Sequence, residues 1–389
     1  MAIARDFPGK LTILVHSMNR GGAQMRLVTI ANGLASDGID VRFVSVSDEG
    51  DAQHLLAPEV AFATLGKRRR RKWQSRSLYG LRAPKRELTR FPPDLLMAGI
   101  TPIHGLAIVA AGALPRRPAV VLRASRHPER EISWVKLYKR VKELAVRAIH
   151  RRLYDRADLV IAVAEDVATA IRAGMTHPER CVTIRNPVIG PAFLKSLSAP
   201  PPHKWFAGDQ PVIVAVGRLM WQKGFDELLP AFARLREKVP ARLVILGEGK
   251  ERRALEAQAR KLGVDQHVDL VGQVAAVGPW LANADLLVSS SRFEGASAVL
   301  VEALAAGCPV VATDCPGESA ALLEPVGREV IVPMGQPAAM AAAMAAALVK
   351  DWDKDALRRI AAPYSEARGV AAYRDALAAL DPARSSAAR

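Results

Sequence analysis

Short apolar runs alternate along this chain with stretches in which apolar side chains return every three or four residues, and the alternation starts twice. Residues 11–17, 41–46, 94–97, 119–122 and 159–163 read as strands, with a helix-like stretch running to Leu34 after the first. The second series has strands at 212–217, 242–246, 268–271, 285–289 and 309–313, and helices starting at Phe225 and Arg252 and covering 298–306. Strands alternating with helical periods call for parallel sheets joined by crossover helices, so the fold class is α/β. Between the series, residues 196–210 lose all periodicity around Pro200-Pro201-Pro202 and read as a linker. The expected division is a first domain over 1–195 and a second over 196–363. A last helix, 364–380, returns toward the first domain, and 381–389 form a frayed tail.

One further periodic stretch changes the picture. Trp134, Leu137, Tyr138, Val141, Leu144, Ala145 and Ala148 recur at helical spacing, with Lys136, Lys139, Arg140, Lys142 and Arg147 over much of the remaining surface. This basic amphipathic helix suits either core packing or a membrane surface. Charge sharpens the question. Residues 1–190 carry 32 Lys/Arg against 17 Asp/Glu, whereas residues 191–389 carry 23 against 22. The excess concentrates in 67–90, with eleven basic residues and one acid, and in 116–156, with thirteen and four. Such asymmetry implies that one half meets an anionic partner: nucleic acid, anionic lipid or a phosphorylated substrate. The longest apolar run, 105–114, is half of what a bilayer needs, and the first ten residues do not read as a secretory signal. Cys181, Cys308 and Cys315 are odd in number and lack metal-site spacing, as in a reduced cytoplasmic protein.

The chemistry-bearing positions fall where strands end. Glu294-Gly295-Ala296-Ser297-Ala298-Val299-Leu300-Val301-Glu302 places one glutamate in a loop after a strand and the other in the following helix. Loops at the carboxyl ends of parallel strands are where open α/β sheets bind ligands. Backbone N–H groups at a helix start favour anions, and carboxylates accept from paired sugar hydroxyls. Arg218 and Lys223 lie in a second strand-to-helix loop, where a planar fork and a mobile ammonium suit a diphosphate. Gly21-Gly22 opens the first helix and is either a phosphate approach or a plain tight turn. Gly247-Glu248-Gly249 reads as a turn. His127 follows a strand, and its plain alternative is a surface histidine. Asp351-Trp352-Asp353 resembles a metal-binding pair of aspartates but sits in a charged, helix-like stretch and reads as surface.

Taken in order, these pieces resemble the bacterial retaining glycosyltransferases of the two-Rossmann GT-B fold, family 4. The matching segments are Gly21-Gly22-Ala23-Gln24, Tyr154-Asp155-Arg156-Ala157-Asp158, Arg185-Asn186-Pro187, residues 218–226 and Leu246-Gly247-Glu248-Gly249. They continue with Ala284-Asp285, the Glu294/Glu302 pair and Ala305-Ala306-Gly307-Cys308-Pro309-Val310-Val311. The resemblance implies two Rossmann-like domains whose parallel sheets face across a cleft, the first binding acceptor and the second the nucleotide sugar. It implies that Arg218 and Lys223 bind the donor diphosphate and stabilise the leaving nucleotide. Glu302 then holds the ribose, while Glu294 with Ala296, Ser297 and Ala298 holds the transferred sugar. Gly21 and Gly22 approach the diphosphate, and His127 stands against the sugar. No metal or cofactor is implied, and a UDP-sugar is favoured over a GDP-sugar. Where relatives carry a bulky residue and then Pro or Gly after the Glu-Gly, this chain has three small residues, and 123–128 matches only loosely.

The implied activity is transfer of a hexose-type sugar to a saccharide or lipid-linked acceptor in bacterial surface polysaccharide, lipopolysaccharide or glycolipid synthesis. The basic first half adds an expectation of peripheral attachment to the inner face of the cytoplasmic membrane. Two rival readings remain. A sugar-nucleotide epimerase shares the architecture but should lack the combined Arg218/Lys223 and Glu294/Glu302 motifs. A nucleic-acid binder would use 67–90, but only Trp73 and Tyr79 offer stacking surface there, so no nucleic-acid partner is expected.

Overall fold

The computed structural model describes residues 9–19, 21–66, 76–125 and 152–380. The chain forms two compact units, one of residues up to Pro187 together with the segment from Glu366, the other Val188–Ser365. The division therefore falls at Pro187, ahead of the proline-rich stretch. Residues 196–210 are not an open linker but part of the second unit. Trp205 and Phe206 pack on its core, and His203 meets Asp269 at 3.2 Å.

The first unit is built on seven parallel strands: β1 (Leu11–Val15), β2 (Val41–Ser45), β3 (Ala61–Thr64), β4 (Leu95–Ala98), β5 (Ala119–Ala124), β6 (Leu159–Ala162) and β7 (Cys181–Thr183). Their order is β3-β2-β1-β4-β5-β6-β7. β1, β4, β5 and β6 are buried along their whole length, which is why each reads as an unbroken apolar run. The helix Glu366–Ala378 belongs to this unit, and its Val370, Tyr373 and Leu377 join the core. It crosses the helix Gly22–Ser36 closely at Gly33, where a Cβ would lie 2.4 Å from a Val370 methyl.

The second unit repeats the plan with six strands: β8 (Val212–Val216), β9 (Arg242–Leu246), β10 (Val268–Gly272), β11 (Leu286–Ser289), β12 (Val310–Thr313) and β13 (Ile331–Val332). Their order is β10-β9-β8-β11-β12-β13, all parallel. The chain rejoins itself at the unit's edge, where the N–H groups of Val188 and Ile189 donate to the Tyr364 carbonyl.

Several motif residues have structural duties that recur in both units. Asp94, Asp158 and Asp285 each stand just before a strand and accept from a backbone N–H at or beside the start of a neighbouring one: Lys10 at 2.9 Å, Val120 at 2.7 Å and Val212 at 2.7 Å. Each bond satisfies a strand-end donor with a charged acceptor, worth about 1.5–3 kcal/mol. Gly307 closes the helix Ala298–Ala306 in the left-handed conformation, and the Cys308 N–H returns to the Ala303 carbonyl. Asp351-Trp352-Asp353 is a loop rather than helix. Asp353 caps the helix Lys354–Ala361 by accepting from the Ala356 N–H, and this bond is the main reason its carboxyl lies below the usual range.

Candidate functional site

The order of the second sheet locates the site before any side chain is considered. From β8 the chain winds outward through β9 and β10, and from β11 it winds the other way through β12 and β13. β8 and β11 are hydrogen-bonded neighbours, so the loops leaving their carboxyl ends diverge and open the crevice where such sheets bind ligands. The loop after β8 carries Arg218 and Lys223. The loop after β11 carries Glu294.

Two glycines let these loops meet their neighbours. Gly224, at φ 62°, joins the short 3-10 turn Trp221–Lys223 to the helix Phe225–Arg236, and a Cβ there would sit 2.1 Å from the Ser290 carbonyl oxygen. Gly317, at φ 135°, lies against the Glu294 carbonyl, 2.1 Å from where its Cβ would be. Both positions combine a left-handed backbone with contact too close for any side chain. The loops are then stitched together. Ser290 Oγ donates to the Lys223 carbonyl at 2.9 Å, the Arg292 N–H to the Gln222 carbonyl at 2.8 Å, and Gln222 Nε2 to the Phe293 carbonyl at 3.0 Å.

The outcome is a part-buried ion pair. Lys223 Nζ donates to Glu294 Oε1 at 2.5 Å, and Ser291 Oγ donates to the same oxygen at 2.6 Å. Only 19% and 10% of the two side chains is exposed. Glu294 is held from behind as well, its N–H donating to the Pro316 carbonyl and the Glu318 N–H to the Gly295 carbonyl. Arg218 is exposed, and its side chain has no hydrogen-bond partner among the described residues.

Ala296 and Ser297 lead into the nine-residue helix Ala298–Ala306. Its first N–H groups have no acceptor within the helix. Ser297 stands at the N-cap but makes no capping bond, and its Oγ is buried with no partner among the described residues. Glu302 lies one turn in, half-buried. The structure thus brings Lys223 and Glu294 into contact and puts Ala296, Ser297, Ala298 and Glu302 on the same loop-to-helix segment.

In the first unit the equivalent switch lies between β1 and β4, and Gly21 and Gly22 follow β1. Gly21 caps the helix in extended conformation with its N–H on the Asn19 carbonyl, whereas a Cβ at Gly22 would meet nothing within 4 Å. His127, the basic run 67–72, the amphipathic stretch 134–148 and the tail 381–389 lie outside the described residues.

Sequence reasoning missed three residues here. Ser291 and Arg292 follow β11 in a polar run, Ser289-Ser290-Ser291-Arg292, which was the available signal. Arg123 gave none. It is fully buried in β5, donating to Tyr373 Oη at 2.9 Å, Asn186 Oδ1 at 2.5 Å and the Gly99 carbonyl at 3.4 Å. Burial holds the Tyr373 phenol above its usual range, against the opposing pull of this guanidinium.

Comparison with known proteins decides the family. Residues 20–189 match the family described as Glycosyltransferase Family 4, and residues 210–350 match Glycosyl transferases group 1. The chain belongs to the family 4 glycosyltransferases. It is similar to the lipopolysaccharide core biosynthesis glycosyltransferase LpsE of Rhizobium meliloti, 39% identical over 109 residues covering 28% of this chain and 31% of that protein. It is 30% identical over 175 residues to the lipopolysaccharide 1,6-galactosyltransferase of Salmonella typhimurium, covering 43% and 45%. These matches span less than half of the relatives' length. Over nearly the whole chain it shares the GT-B fold of Anabaena HepE solved in complex with UDP, with a TM-score of 0.73, 20% identity and coverage of 96% of this chain and 100% of that one.

Proposed function

We propose that this family 4 chain transfers a hexose-type sugar, with retention of anomeric configuration, from a nucleoside diphosphate to a saccharide or lipid-linked acceptor. The context proposed is synthesis of bacterial surface polysaccharide, lipopolysaccharide or glycolipid. The observation that carries this reading is the Lys223–Glu294 pair at the ends of β8 and β11, with Arg218 exposed on the same loop as Lys223. A cation and a sugar-competent carboxylate at a sheet's switch point suit a ligand that joins phosphate to sugar.

In this reading Arg218 and Lys223 face the diphosphate and stabilise the charge that develops on it as the glycosidic bond breaks. Glu302 accepts from the ribose hydroxyls. Glu294 Oε1 is already occupied by Lys223 and Ser291, which leaves Oε2 to accept from a sugar hydroxyl. The backbone at Ala296, Ser297 and Ala298 and the unpartnered Ser297 Oγ complete the sugar's surroundings. Gly21, Gly22 and His127 keep the roles that the resemblance implies. Since protein cations supply the positive charge, no metal or other cofactor is required, and turnover should persist in excess EDTA.

A UDP-sugar donor draws support from HepE, which was solved with UDP, and the surface-polysaccharide context from the lipopolysaccharide enzymes named above. Thermal-shift screening of nucleotide sugars followed by donor hydrolysis tests the donor. Stabilisation by none of them would end the reading. No helix among the described residues is long and apolar enough to cross a membrane. The basic segments 67–90 and 116–156 support peripheral attachment at the cytoplasmic face, since each Lys or Arg near an anionic surface gains about 1 kcal/mol. Flotation with anionic vesicles should recover the protein at low salt and lose it as salt rises; equal recovery without anionic lipid would exclude it.

A further inference from the structure

Arg292, two residues before Glu294, is tied to the opposite loop and not to its own. Its Nη1 donates to the Trp221 carbonyl at 2.6 Å and to Asp226 Oδ1 at 2.8 Å, while Nη2 donates to Asp226 Oδ2 at 2.7 Å and Glu227 Oε1 at 2.6 Å. The guanidinium lies 4.6 Å from the centre of the Trp221 ring, and only 14% of the side chain is exposed. Glu227 Oε2 in turn accepts from the Gly335 N–H at 3.0 Å. One planar fork therefore spans the start and the end of the turn that carries Lys223. Its two partner carboxylates stand three and four residues beyond Lys223, near enough in sequence to compete for the ammonium if they lost their own cation.

We propose that Arg292 is a positioning residue: it fixes the Lys223 turn against the Glu294 loop and sequesters Asp226 and Glu227, so that Lys223 pairs with Glu294 alone. The role rests on the reading of Lys223 as the charge that meets the leaving diphosphate. Hydrogen bonding to Asp226 is the main reason the guanidinium is held above its usual pKa, so the cation of the clamp stays charged. Lysine is not an equivalent. Its single ammonium keeps the charge but cannot present the fork that reaches four acceptors at once.

The experiment compares Arg292→Ala and Arg292→Lys with the unaltered chain, measuring donor turnover, UDP affinity by calorimetry and melting temperature. Misplacing Lys223 by about 1 Å should lower kcat by about 10- to 100-fold in both variants. UDP affinity should fall by less than kcat does, because Arg218 and Glu302 still hold the nucleotide. Lys223→Ala added to Arg292→Ala should then cost far less than Lys223→Ala alone, because the lysine has already lost its place. Wild-type turnover in a folded Arg292→Lys chain, or fully additive losses with Lys223→Ala, overturns the clamp. If Arg292→Ala does not fold, Arg292→Lys carries the same comparison. Absence of turnover in the unaltered chain with every nucleotide sugar overturns the reading of the site instead.

Discussion

Replacing Lys223 with Ala removes the cation that shares Oε1 of Glu294 with Ser291 and leaves a carboxylate only 10% exposed without its partner. Exposed ion pairs contribute about 0.2–1 kcal/mol, and breaking a buried one costs about 3–5 kcal/mol. This pair, with 19% and 10% exposure, belongs between those limits, so Lys223→Ala should destabilise the second unit by about 1–3 kcal/mol. Glu294→Gln keeps an acceptor for Ser291 but removes the stranded charge. Lys223→Ala in that background should therefore cost less than about 1 kcal/mol, a coupling of about 1–2 kcal/mol. Turnover should follow a different pattern. Lys223→Ala alone should lower it by about 10²-fold or more, because a stabiliser of leaving-group charge is worth about 3 kcal/mol, and the double variant should fall by less than the product of the singles. Urea titration followed by circular dichroism reads the first cycle, and release of nucleoside diphosphate reads the second. Near-normal turnover by folded Lys223→Ala, with coupling below about 0.5 kcal/mol, would refute both the pair and its role.

Asp285→Ala should cost about 1.5–3 kcal/mol by urea titration, because the Val212 N–H loses a charged acceptor at 2.7 Å; nucleotide affinity should not change. Glu302→Ala should chiefly weaken UDP binding and Glu294→Ala chiefly sugar transfer, so equal loss of UDP affinity in calorimetry would contradict the division. Burial pushes the Cys181 thiol from an ordinary 9.0 up to about 11 and the Cys308 thiol up to about 12. The folded thiols stay protonated where unfolded ones ionise, so stability is full below pH 9.0 and declines as pH rises through about 11 and 12. At pH 8 a thiolate reagent should accordingly label neither cysteine before the fold opens, which a labelling time course in increasing urea will show.

The fold class was legible because fully buried parallel strands write themselves as apolar runs, and residues 242–246 coincide with β9. The strands that escaped notice, β3, β7 and β13, are all edge strands of two to four residues. β3 is largely exposed on both faces, and its apolar residues, Ala61-Phe62-Ala63, make too short a run to stand out. Residues 196–210 looked like a linker because three prolines break periodicity, yet Trp205 and Phe206 anchor the segment on the second core. At the site, residue types and loop positions were visible, but partnership was not. Lys223 and Glu294 are 71 residues apart, and only the pairing of β8 with β11 brings their loops together. Arg123 and Arg292 read as ordinary charges in sequence, since nothing local records that one is walled in by neutral acceptors and the other by two carboxylates.

The central claim is tested most directly by a proton NMR time course of the protein with UDP-hexoses in the presence of EDTA and a bacterial glycolipid or lipopolysaccharide-core acceptor. The account predicts release of UDP from one donor, with the anomeric signal of the product in the same configuration as the donor. An inverted product would contradict the retaining assignment. Conversion of the donor to its epimer without UDP release, or no change in any donor, would contradict the assignment as a glycosyltransferase.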